Sequence, residues 1–391
     1  MIRIALTQPD IRPYRLPVWN LLASQPDIEL TVFADTPDDA PAPAADEIRF
    51  RYVHAPVYHG GRGRFAYKRQ PAQLEAVDPD RFDLAILPWA QRYRTLVPAL
   101  KLAQRRSLPT VVWGHGYSKS ENFLRAYLRN RIVRRATGVM LYTHRIARRL
   151  IEQQGFRADR TFVAQNAIDQ TPIAAAREQW LARPAELQAF RERHGLDPAQ
   201  TLVFVSRLLG ENRVDRLVES AAVLARQRPG LKLVVVGDGP ERQPLEDQAR
   251  RLGLGEQAIF AGQIYSELEL APWLLSSSVF CYPENIGLSL MTAFGFGLPA
   301  ITSDNLDAQN PEIDALRHEQ NGLLYRFGDQ TGLTAAIERL LDDTDLRASM
   351  SREALRTVTE DFNLPNMVQG FVDATRLVDG ETRKVQLPVG G

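Results

Sequence analysis

At 391 residues the chain exceeds one ordinary core, so two domains are expected. Its 44% hydrophobic and 24% charged content is that of a globular protein, and no stretch approaches the roughly 18 uninterrupted apolar residues of a membrane span. The net charge of +1 hides an asymmetry: residues 1–170 hold 26 Lys and Arg against 16 Asp and Glu (+10), residues 171–391 hold 22 against 31 (−9). A basic half suits an anionic partner, either a membrane surface or a phosphate-bearing substrate. The usual nucleic-acid reader motifs are absent, and no nucleic-acid partner is expected.

In chain order, the start MIRIALTQPD lacks the apolar core of a signal peptide, which points to the cytoplasm. Short apolar, β-branched runs follow: IRIAL, ELTVFA, FDLAILP, TVVWG, GVMLYT and TFVAQ, with PDDAPAPAADE as a solvated loop between the second and third. After a helical, polar stretch around residues 170–200 the pattern resumes with TLVFVS, LKLVVVG, QAIFAG, SVFCY, LPAIT and NGLLY. RVDRLVESAAVLARQ and ERQPLEDQARRLG between them carry helical periodicity. Strands alternating with helices build parallel sheets from βαβ units. The expected architecture is α/β: two Rossmann-like parallel-sheet domains facing a central cleft, residues 1–170 and 171–363, with 364–391 packing back toward the first. Cys281 in VFCYP reads as a buried strand residue.

Ligands of open parallel sheets bind beyond the carboxyl ends of the strands, so the motifs there carry the functional argument. Arg207 follows TLVFVS, where a guanidinium suits a diphosphate, and Asn212 and Arg213 open the next helix. Gly237 begins the tight turn GDGP after LKLVVV. Gln263 and Ile264 follow QAIFAG, where backbone groups can meet a flat base. Glu284 and Asn285 precede IGLSLMTAFGFG, in which Gly287 bares backbone N–H groups to a close ligand. In the first half, His115 lies between glycines after TVVWG and is a candidate hydrogen-bonding or acid–base group. NFLRAYLRNRIVRRATG carries Arg125, Arg129, Arg131, Arg134 and Arg135; with Arg62, Arg64, Lys68 and Arg69 they form a basic surface suited to anionic membranes. The six histidines lack ligand spacing, and no metal is expected.

Taken in order, TLVFVSRL, VVVGDGPERQPLE, FAGQI and PENIGLSLMTAFGFGLPAIT resemble retaining glycosyltransferases of family 4, with the GT-B fold. IRPYRLPVWNLLA, VVWGHG and VAQNAID resemble the amino-terminal half of bacterial members that build surface polysaccharides. The resemblance implies transfer of a sugar from a UDP- or GDP-linked donor to a glycan or lipid-linked acceptor, with retention of configuration and no cofactor, at the inner face of the plasma membrane. It implies that Glu284 contacts the donor sugar as first acid of an E-x7-E element and that Ile286, Gly287 and Leu288 offer amides to sugar and diphosphate. Arg207 would bind the diphosphate, Ile264 the base, and His115 the sugar near the reacting carbon. Two positions depart from the pattern: the second acid falls on Thr292, a neutral partner for the ribose, and the lysine falls on Asn212, leaving Arg213 as the neighbouring cation. Two alternatives are a non-catalytic nucleotide-sugar-binding subunit and a nucleotide-sugar 2-epimerase, whose acids the pattern does not supply.

Overall fold

The structure is a computed structural model describing residues 1–36, 43–90, 92–117 and 123–378. Part of the PDDAPAPAADE loop, residues 37–42, lies outside these, as do the side chains of Arg64 and Arg125. The chain divides into two compact units, one of residues 1–168 with 364–391, the other of residues 169–363.

The first unit holds a seven-stranded parallel sheet. Its strands are β1 (Ile2–Asp10), β2 (Ile28–Asp35), β3 (Arg51–His54), β6 (Leu84–Pro88), β7 (Thr110–Gly114), β8 (Gly138–Leu141) and β9 (Thr161–Val163), in the order β3-β2-β1-β6-β7-β8-β9. A separate antiparallel ribbon pairs β4 (Tyr58–Gly60) with β5 (Tyr67–Arg69). The six apolar runs of the sequence are the strands of this sheet apart from β3. That edge strand, RYVH, is half-exposed and polar, so it has too little apolar signal to read in advance.

The helix Leu364–Ala374 returns to this unit because it completes an aromatic cluster. Phe371 meets Trp19 at 5.3 Å and Trp113 at 4.9 Å, and Trp19 meets Trp113 at 5.6 Å, all edge to face. Such pairs contribute about 0.5–1.5 kcal/mol each beyond burial. Gly370 permits the approach, since a Cβ there would lie 2.1 Å from the Val163 carbonyl oxygen.

The second unit holds six parallel strands, β10 (Thr201–Val205), β11 (Lys232–Val236), β12 (Ala258–Gly262), β13 (Val279–Cys281), β14 (Ala300–Ser303) and β15 (Gly322–Tyr325), in the order β12-β11-β10-β13-β14-β15. Burial of the inner strands on both faces explains their unbroken apolar runs: Leu202, Val203, Phe204, Leu233, Val234, Val235, Phe280 and Cys281 are all fully buried. The strand order reverses between β10 and β13, the place where open α/β sheets leave a crevice.

Candidate functional site

The site is assembled on four neighbouring strand ends of the second sheet. Ile264 follows β12, Gly237 follows β11, Arg207 follows β10 and Glu284 follows β13, so residues far apart in sequence line one edge in spatial order. Gly237 has φ 140° and its missing Cβ would lie 1.9 Å from the Ser206 carbonyl oxygen. The glycine lets the β11 turn pass directly beneath the loop that carries Arg207. Arg207 is exposed, and among the described residues its guanidinium has no hydrogen-bond or ionic partner. The backbone N–H of Ile264 likewise has no acceptor there.

Glu284 stands at the reversal point. Its side chain is 14% exposed and its carboxylate accepts no hydrogen bond among the described residues; Oε1 is fully buried. The nearest cation is Arg216, whose Nη1 is also buried and unpaired, 3.9 Å from Oε1. Burial pushes the Glu284 carboxyl above its ordinary range, Arg216 and Arg213 pull it back, and Asp215 pushes it up again. Tyr325, at the end of β15, donates its hydroxyl to the Pro283 carbonyl at 3.0 Å and lies beside Arg216. Its own pKa is raised by burial and by the charge of Glu284.

Three expectations need correction. Asn212 does not stand in for a phosphate-binding lysine: it is 1% exposed and ties two loops together. Its Nδ2 donates to the Arg207 carbonyl at 2.7 Å, its Oδ1 accepts from Asn285 Nδ2 at 3.0 Å, and its backbone carbonyl accepts from Glu284 N at 3.3 Å. Arg213 is not a free substitute cation either. It caps the helix Val214–Ala225 in a left-handed conformation, φ 52°, and closes its Nε and Nη2 on Asp215 at 2.9 and 2.8 Å. The Ile286 amide is already used, donating to Gln309 Oε1 at 2.7 Å. Asn285 also takes a structural part at φ 65°, with Asn310 Nδ2 donating to its carbonyl at 2.9 Å.

What stays open around Glu284 is narrower than the motif suggests. The N–H groups of Gly287 and Leu288 have no acceptor among the described residues, and they sit just ahead of the short helix Ser289–Gly295. Thr292 lies within that helix, half-buried, with a hydroxyl that makes no hydrogen bond among the described residues. Arg216 was missed because a single arginine in an amphipathic helix looks like any solvated one.

In the first unit, His115 is exposed after β7, its ring 5.0 Å from that of Tyr142, which follows β8. Close by lies a residue that sequence reasoning passed over. Arg15 is 8% exposed, and its guanidinium packs 5.1 Å from the ring centre of Tyr14, 5.3 Å from Trp113 and 5.7 Å from Tyr142. Its Nη1 meets the sulfur of Met367 at 3.6 Å.

The basic helix Phe123–Val133 also differs from expectation. Arg129 is 4% exposed and faces the Trp89 ring at 6.0 Å, so it is no part of a docking surface. Arg134 is exposed but lies over the Phe156 ring at 4.7 Å and donates to the Gln154 and Gly155 carbonyls. Tyr127, Leu128 and Arg131 of this helix remain exposed. Among the described residues, no helix is long and apolar enough to cross a membrane.

Comparison with known proteins agrees with this layout. Residues 22–171 match the family model Glycosyltransferase Family 4, and residues 187–357 match Glycosyl transferases group 1. The two matches fall one on each parallel-sheet unit, and both agree with the GT-B glycosyltransferase fold of those units. An alpha-D-kanosaminyltransferase of Streptomyces kanamyceticus is 29% identical over 57% of this chain and 55% of its own length. A GDP-mannose-dependent alpha-(1-6)-phosphatidylinositol monomannoside mannosyltransferase of Mycolicibacterium smegmatis is 26% identical over 47% of this chain and 50% of its own. The chain spans about half the length of these curated relatives. Anabaena Alr3699/HepE, solved with UDP, has the same fold, with a TM-score of 0.69 and 18% identity over 96% of this chain and 100% of that one. The same protein has also been solved with UDP-glucose.

Proposed function

We propose that the protein transfers a sugar from a UDP- or GDP-linked donor to a glycan or lipid-linked acceptor, with retention of configuration. The observation that carries this is Glu284: a nearly buried carboxylate at the sheet's reversal point that accepts no hydrogen bond from the described residues. Such a group is costly to keep unless a ligand supplies donors, and sugar hydroxyls are donors. Two further features support the reading: the unpartnered guanidinium of Arg207, and relatives whose names specify GDP-mannose or whose structures hold UDP-glucose.

In this reading the free N–H groups of Gly287 and Leu288, with Arg207, stabilise the departing diphosphate. His115 approaches the sugar near the reacting carbon, and the leaving phosphate helps deprotonate the acceptor on the same face. No metal takes part, so activity should survive a chelator. The basic first unit rests on an anionic membrane surface at the cytoplasmic side, with Arg131 and the exposed Tyr127 and Leu128 at the contact. Binding to anionic vesicles should then weaken as salt rises.

Glu284→Ala tests the central claim. Losing one or two charge-assisted hydrogen bonds to the sugar, about 1.5–3 kcal/mol each, should lower turnover by roughly 10- to 100-fold or more. Calorimetric affinity for free UDP or GDP should change little. Normal turnover would return Glu284 to the role of a helix-start acid. A nucleotide-binding subunit without catalysis would bind UDP or GDP sugars yet never hydrolyse them in the absence of acceptor.

A further inference from the structure

We propose that Arg216 is a positioning residue for Glu284. It holds the carboxylate by charge across 3.9 Å without a hydrogen bond, so that the carboxylate's hydrogen-bonding capacity is kept for the hydroxyls of a donor sugar. The inference rests on the donor reading above and extends it to a residue that the motif does not contain.

The argument begins with what this arginine does not do. At 3.9 Å the pair lies beyond hydrogen-bonding distance, although guanidinium and carboxylate ordinarily close into a fork. The same segment shows the closed form. Two residues N-terminal of Asp215, Arg213 takes both of its carboxylate oxygens at 2.9 and 2.8 Å, which leaves that acid little to offer a ligand. Arg339 closes on Glu319 in the same way elsewhere on the second unit. Glu284 and Arg216 are therefore held apart beside a pair that closes fully.

The holding is visible on both sides. The Glu284 backbone N–H is tied to the Asn212 carbonyl, and the preceding Pro283 carbonyl accepts from Tyr325 and from Thr302 Oγ1 at 3.3 Å. On the other side, the Arg216 carbonyl accepts from Gln330 Nε2 at 2.8 Å, and its side chain lies beside Tyr325. The backbones are fixed, so the carboxylate's direction is left to Arg216. The pair is also sheltered, with side chains 18% and 14% exposed, so the attraction is weakly screened.

Removing the cation has a definite consequence. A sheltered carboxylate without its counter-charge takes up a proton, and one of its oxygens then becomes a donor rather than an acceptor. The other charged or titratable groups facing Glu284 are Arg213 and Asp215, which neutralise each other, and Tyr325 on β15. None of them replaces Arg216.

The test uses the full chain and four probes: UDP, UDP-glucose, GDP and GDP-mannose. Calorimetry across mildly acidic to mildly basic pH gives the ratio of affinities between each nucleotide sugar and its nucleoside diphosphate, which is the share contributed by the sugar. For whichever pair the wild type binds, Arg216→Met should lower that ratio about tenfold while sparing the free diphosphate. The ratio falls as pH drops through the Glu284 pKa, so the fall should begin at a higher pH in Arg216→Met than in the wild type. Arg216→Lys, which keeps the charge, should restore much of both. Glu284→Gln should remove the sugar's share and its pH dependence.

An unchanged ratio and pH midpoint in Arg216→Met would overturn the proposal. So would a lysine variant no better than methionine. Equal losses for UDP and UDP-glucose would also overturn it, because Arg216 would then be contacting the diphosphate. If the wild type bound none of the four probes, the donor reading would fall first and this role with it.

Discussion

The carboxyl ends of the two sheets keep their arginines in opposite ways. In the first unit Arg15 is almost fully buried against the rings of Tyr14, Trp113 and Tyr142, a cation satisfied by aromatic faces and a methionine sulfur. In the second unit Arg207 is exposed without a partner, and Arg216 faces a carboxylate that it does not touch. Sheets of the same type thus carry different edges: one closed by packing, one left electrostatically unfinished. The unfinished edge is the better candidate for a ligand, because desolvated groups without partners cost stability unless something binds them.

The comparison can be broken first at its backbone. If the second edge depends on the close crossing at Gly237, Gly237→Ala should destabilise the protein by about 2–5 kcal/mol, since it combines a disfavoured φ with a clash against Ser206. Chemical denaturation followed by fluorescence measures this. A loss under about 1 kcal/mol would show that the two loops separate easily and do not fix Arg207.

A smaller effect is expected at the aromatic edge. Arg15→Met keeps the bulk of the side chain and removes its charge, so the loss should be about 1–2 kcal/mol, the scale of desolvated cation–π contacts. Unchanged or increased stability would mean that the rings do not hold this cation, and the contrast between the edges would disappear.

Glu284 sharpens the comparison through pH. Its folded-state pKa is raised, chiefly by burial, so its protonated form is the one the fold prefers. The associated stability is fully present below the ordinary carboxylate pKa and is lost as pH rises through the folded-state value. Glu284→Gln should therefore be more stable than the wild type at neutral pH, by no more than about 1 kcal/mol, with the difference vanishing in acid. Thermal unfolding over a pH series decides it, and a variant less stable at neutral pH would show that the charge is stabilising.

A further effect, on binding rather than stability, is expected at Thr292. If its free hydroxyl meets the nucleotide ribose, Thr292→Val should weaken UDP or GDP binding by about 0.5–1.5 kcal/mol and spare turnover at saturating donor. Thr292→Glu should tighten binding by about 1–2 kcal/mol, the difference between a neutral and a charge-assisted bond. Unchanged calorimetric affinity in both would mean that Thr292 does not touch the ribose.

Local chemistry made the scaffold legible in advance. Runs such as TLVFVS and LKLVVV form buried parallel strands because β-branched residues tolerate burial on both faces, and GDGP and PENIG mark the turns beyond them. Arg207, Ile264 and Glu284 could be placed at strand ends for that reason alone. The helix Leu364–Ala374 was expected to return to the first unit, but its reason, the ring of Phe371 between Trp19 and Trp113, is a matter of packing.

Other roles were decided by partners that sequence proximity does not reveal. Gln309 claims the Ile286 amide from 23 residues away, and Asn285 claims Asn212 from 73. Arg129 is buried beside Trp89, away from the surface that a charge run by itself implies. By itself the sequence determined which residues reach the edge of each sheet, because strand periodicity and turn chemistry are local. Only the tertiary structure decided which of those residues are already satisfied by the protein and which remain for a ligand, because hydrogen bonds and burial join segments distant in the chain.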